Sequence, residues 1–145
     1  MSIAVIKRTP TMRVGVSLTA LLLATGLGAC GGAVSTSSFK GEAHAVAQRL
    51  SDLQSDVTAA DEQKICESDF SRAARARLST HGNTCAKALK RQIGTIDSYE
   101  LTVEKVAVKG ATATATVRST WSGKNRTSTV RLVKEGGAWR VEGVG

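Results

Sequence analysis

Cys30, Cys66 and Cys85 are the residues of this chain best suited to covalent or metal chemistry. A thiol does one of three things: it attacks as a thiolate, ligates a metal, or pairs with a second thiol. Metal binding and redox cycling both favour a CxxC spacing or nearby histidines. No CxxC occurs, and His44 and His81 are the two histidines. Cys66 and Cys85 form an even pair and read as a structural disulfide. Acid/base candidates are equally sparse. His44 stands one residue past an apolar position, His81 precedes Gly82-Asn83, and Asp97 and Tyr99 sit just before the chain becomes strand-like. A general base needs a partner within hydrogen-bond reach, and no spacing here supplies one. The residues imply no catalytic set, no metal centre and no cofactor.

Cys30 has a different setting. Met1–Arg13 carries Lys7, Arg8 and Arg13 and no acid, and Val14–Ala29 carries no charge. A basic front end, an apolar run and small residues at its end form a secretory signal. The run is shorter than the ~20 apolar residues a spanning helix needs. Leu27-Gly28-Ala29-Cys30 at its close resembles the lipobox of bacterial lipoproteins. That resemblance implies cleavage between Ala29 and Cys30 and a diacylglyceryl group on the Cys30 sulfur. Several acyl chains hold a protein firmly where a single chain holds it marginally. The expected address is therefore extracytoplasmic, on a bacterial cell membrane. Gly31 does not resemble a strong retention signal, which leaves inner and outer membrane both open.

The organisation follows: a signal peptide over 1–29, lipidated Cys30 with a flexible linker over 30–38, and one domain over 39–145. Gly31–Ser38 is small, polar and Gly/Ser-rich, the composition of a flexible tether. Removing Lys7, Arg8 and Arg13 from a formal net charge of +8 leaves +5. That charge suits an anionic membrane surface better than nucleic acid, which an exported domain rarely meets. Arg72, Arg75 and Arg77 with Lys87, Lys90 and Arg91 form two basic helical clusters, read as a solvated surface.

These residues need elements to place them. Phe39, Ala43, Val46, Ala47, Leu50, Leu53 and Val57 recur at steps of three and four, one face of a helix, with Glu42, Gln48, Arg49, Asp52 and Asp56 outside it. A break at Thr58–Asp61 precedes a short turn that delivers Cys66. Ser68 or Asp69 is the expected cap of the stretch from Phe70 to Leu78, and Thr84 that of a helix carrying Cys85, Leu89 and Ile93. The disulfide would tie the middle helix, through the turn that carries Cys66, to the last one. Beyond Ser98 the period becomes two. Leu101 and Val103 give way to Val106 and Val108, a slip that predicts a bulge. Ala113, Ala115 and Val117 alternate with Thr112, Thr114 and Thr116, which read as a solvent face. Lys109-Gly110, Ser122–Asn125 and Gly136-Gly137 are hairpin turns. Helices followed by a four-stranded antiparallel meander make an α+β fold. Trp121, Trp139, Phe39 and Phe70 are expected in its core.

The first amphipathic helix ending in TAADEQKIC, the HGNTC segment and the closing hairpin VRLVKEGGAWRVEG together resemble the nuclear-transport-factor-two-like superfamily. The resemblance covers most of Phe39–Gly145 and implies a cone-shaped domain with an inward tryptophan, here Trp139, after the Gly136-Gly137 turn. It also implies a pocket between curved sheet and helices. No acid/base residue of the family's enzymes carries over. The expectation is a monomeric, membrane-held module that binds a small molecule or an envelope partner without catalysis. An isomerase- or cyclase-like enzyme using His44, Asp97 or Tyr99 is the alternative, and a structural envelope protein a third.

Overall fold

The computed structural model describes residues 34–80, 82–94, 96, 99–121 and 123–145, with the side chain of Trp121 excepted. Ala29, Cys30, His81 and Asp97 lie outside the described residues. Four α-helices precede four strands: α1 (Gly41–Thr58), α2 (Glu62–Lys64), α3 (Arg72–Leu78), α4 (Cys85–Ile93), β1 (Tyr99–Lys109), β2 (Thr112–Trp121), β3 (Lys124–Glu135) and β4 (Ala138–Val144). A π-helical turn, Ile65–Asp69, continues α2. The strands form one antiparallel sheet in the order β1-β2-β3-β4. This is the α+β meander that the change of period predicts.

The apolar stripe of α1 buries Val46, Ala47 and Leu50 completely, and the helix packs mainly on β1. Burial of a leucine of this kind contributes about 1.5–3 kcal/mol. Gln54, also buried, accepts the Leu101 amide hydrogen at 3.0 Å and so supplies a partner that an edge strand otherwise lacks. The predicted bulge is present: the β1–β2 register slips between Val103 and Lys105, leaving Glu104 extra. Leu101 and Val103 remain inward while Val108 turns to the surface. A second slip, between Arg131 and Leu132, leaves Glu142 extra in β4. The threonines Thr112 and Thr114 are exposed and Thr116 half-buried.

Three expectations need correction. The cap of α3 is Ser71 and not Ser68 or Asp69: its Oγ accepts the Ala74 amide hydrogen at 3.1 Å. The π turn consumes the two earlier residues, closing with the Phe70 amide donating to the Ile65 carbonyl at 3.0 Å. Asp56 is buried, not outside, because α1 ends against the π turn and Lys64 donates to its carboxylate at 2.7 Å. Within the Gly/Ser-rich segment, Val34 is buried against the core, and the Thr36 carbonyl receives the Phe39 amide and lies 3.1 Å from His44 Nδ1. The chain is thus fastened to the domain four residues beyond Cys30. Thr84 caps α4 as expected, accepting from the Lys87 amide at 3.3 Å.

Candidate functional site: an apolar cavity under the concave sheet

Cys66 and Cys85 are disulfide-bonded, with their Cα atoms 6.1 Å apart. The bridge joins the π turn to the first residue of α4. It fixes α4 to the π turn, and α1, α3, α4 and the sheet together line a cavity of about 450 Å³. Such a volume falls within the range of small-molecule sites.

Register determines what the sheet presents to this space. Inward cross-strand pairs of β2 and β3 run Ala113–Leu132 and Ala115–Val130, of which Val130 alone lines the cavity, then Val117–Ser128 and Ser119–Arg126, all four of which line it. The concave face therefore grades from small and apolar, through hydroxyl, to a guanidinium. The helices show the same gradient. Leu50 and Leu53 of α1, Ala74 of α3 and Leu89 of α4 line the interior, while Arg77 and Gln92, one turn on and exposed, line the opening. Val144 and Arg126 are exposed as well and complete the mouth. Arg77 donates to the Glu142 carbonyl, which the β4 bulge turns toward it. Tyr99 lines the cavity, and burial holds its phenol above its ordinary pKa. It is a hydrogen-bond donor there, not a base.

The other candidates are placed elsewhere. His44 is exposed on α1 and borders a shallow outer depression with Gln48, Asp52 and Gly137. His44 and Tyr99 thus face different regions. Trp139 is buried as expected, and its indole N–H donates to Glu42 at 2.7 Å. Lys134 also donates to Glu42, at 2.8 Å, and lies 5.6 Å from the indole centroid. These bonds, with Lys134 first, lower the Glu42 pKa. Arg72 and Arg77 both reach the β3–β4 hairpin, Arg72 through Glu135 and Arg77 through the Glu142 carbonyl.

One polar cluster has no signature in the sequence. Asp69, fully buried, accepts from Arg49 Nη1 at 2.7 Å and lies beside the buried Asp56, itself paired with Lys64. Burial first, and the neighbouring Asp56 carboxyl after it, push Asp69 up to about 6 against the pull of Arg49. The group includes the last residue of the π turn and does not line the cavity. Its place is structural: it neutralises charge where α1, α2 and the turn meet.

Two solved structures share this architecture. A variant of the protein designated Rd1NTF2_05 aligns with a TM-score of 0.53 at 17% identity, covering 72% of this chain and 97% of its own. An NTF2-like protein of unknown function from Shewanella baltica OS155 aligns with a TM-score of 0.52 at 21% identity, covering 71% and 90%. No curated protein matches the chain. The fold is thus NTF2-like. Residues 39–142 match the family described as "Putative lumazine-binding", and the chain belongs to that family.

Proposed function

We propose that this protein is a ligand-binding module that takes up a small, largely apolar molecule in the cavity beneath the sheet. The observation that carries the reading is the cavity itself: apolar across its floor, polar at its mouth, and large enough for a small ligand. The family description adds support, since it names a small molecule as ligand. Lumazine is flat and bicyclic with a polar edge. The hydroxyls of Ser119, Ser128 and Tyr99 are the groups that would meet such an edge. Fold alone does not fix chemistry, because unrelated functions share scaffolds; the lining residues argue the case here.

The module is held outside the cytoplasm by lipid on Cys30, in our reading. The basic leader, the uncharged run and Leu27–Cys30 support that address. The Cys66–Cys85 bridge fits an oxidising compartment. The inferred partners are the membrane, through the lipid, and a small molecule or an envelope protein, with the domain acting as a monomer.

Backbone amide shifts, recorded while a neutral apolar fluorophore is titrated into the folded domain, test the site. Perturbations should centre on Leu53, Val117 and Ser128. Shifts confined to the outer depression around His44, or none at saturating probe, would refute the cavity as the binding site.

A further inference from the structure

Resting on the cavity reading, we propose that the ligand class is an amphiphile: an apolar body ending in a single oxyanion, seated tail inward with its head between Arg77 and Arg126. The two arginines come from different elements, α3 and β3, and both are exposed where they line the cavity. Arg126 makes no ion pair among the described residues. Arg77 spends one N–H on the Glu142 carbonyl, which fixes the guanidinium at the rim and leaves further donors for a ligand. Glu142 also lines the cavity, so the mouth carries two cations against one carboxylate. The balance favours an anionic head group.

The arrangement of the floor argues for the rest of the molecule. An oxyanion among Leu50, Leu53, Val117 and Val130 would lose its water with no donor on those side chains to replace it. At the mouth, the same group meets Arg126, the Ser119 and Ser128 hydroxyls and solvent. Guanidinium binds carboxylate or phosphate through paired N–H donors. Polarity therefore orients the ligand along the gradient that the β2–β3 register creates. A fatty-acid carboxylate and an alkyl phosphate monoester share the required chemistry.

The test displaces N-phenyl-1-naphthylamine, a neutral apolar fluorophore, from the mature folded protein. Competitors are dodecanoate, dodecyl phosphate, dodecanol and dodecyltrimethylammonium, each below its micellar concentration. Either anion should compete about 3–10-fold better than dodecanol, the gain expected of partly solvated charge-assisted bonds. The cation should compete worst. Whichever anion binds tighter identifies the head group. With each competitor's affinity expressed relative to dodecanol in the same variant, Arg126→Gln should abolish most of the preference, and Arg77→Gln/Arg126→Gln should abolish all of it. Because Arg126 is exposed and makes no ion pair among the described residues, its variant isolates the charge from folding. If dodecanol matches both anions, or Arg126→Gln keeps the preference, the head-group assignment falls and the cavity reading stands. If neither fluorophore nor amphiphile binds, the cavity reading itself falls.

Discussion

At Asp69 two forces oppose each other. Complete burial favours the neutral acid, and Arg49 at 2.7 Å favours the carboxylate; burial and the nearby Asp56 prevail and place the pKa at about 6. An unfolded aspartate titrates near ~3.9. The folded value is the higher one, so the native state binds the proton more tightly between these limits. Stability from this residue is therefore present at acid pH and lost as pH rises through about 6. Two units correspond to at most about 3 kcal/mol. Urea denaturation of the wild type and Asp69→Asn at pH 4.5 and pH 7 reads the difference. The asparagine variant should gain on the wild type as pH rises, and a gap independent of pH would contradict the assignment. Glu42 has the opposite sign: its pKa is lowered by Lys134 and Trp139, so its contribution is lost as pH falls.

The elements divide into those whose cause is local and those whose cause is distant. Steps of three and four in α1, the Thr84 cap of α4, the Gly136-Gly137 turn and the Glu104 bulge all follow from neighbours in the chain. They were legible for that reason. At the Gly136-Gly137 turn both glycines have positive φ, 59° and 83°, which other residues resist. The π turn was not legible, because it exists to bring Asp69 to Arg49, twenty residues earlier. Nor was the Ser71 cap, whose place is set by the Ser71 amide donating to the Val141 carbonyl at 2.9 Å. Ser71→Ala should cost about 1–2 kcal/mol in chemical denaturation, near the upper end for a cap, since the hydroxyl is fully buried. Replacing both Cys66 and Cys85 by serine should cost roughly 3 kcal/mol by loop-closure entropy. As the bridge anchors α4, the loss should loosen the cavity wall formed by Leu89 and Ile93 before it unfolds the sheet. Hydrogen exchange would show it as faster exchange in α4 with β2 and β3 still protected.

For the molecule as a whole, the site was half visible in the sequence. Alternation placed Ala113, Ala115, Val117, Val130 and Leu132 on one face, and continuing that phase reaches Ser119, Ser128 and Arg126. What alternation does not carry is the angle at which α3 and α4 close over the sheet, which sets the volume. The short path from Cys30 to buried Val34 also has a consequence at this scale: four residues extend at most ~14 Å, so a lipidated Cys30 would hold the domain close against the bilayer. Denaturing mass spectrometry of membrane-extracted protein should give a chain beginning at Cys30, increased by diacylglyceryl and possessing one disulfide. A soluble chain retaining Met1–Ala29 would overturn that address. The central claim, uptake of an apolar molecule beneath the sheet, is tested most directly by titrating N-phenyl-1-naphthylamine into the wild type and Ser128→Trp. The account predicts saturable binding of one probe per wild-type chain, and its loss when the indole fills the mouth in an otherwise stable fold. Equal binding by both proteins, or none by the wild type, would contradict it.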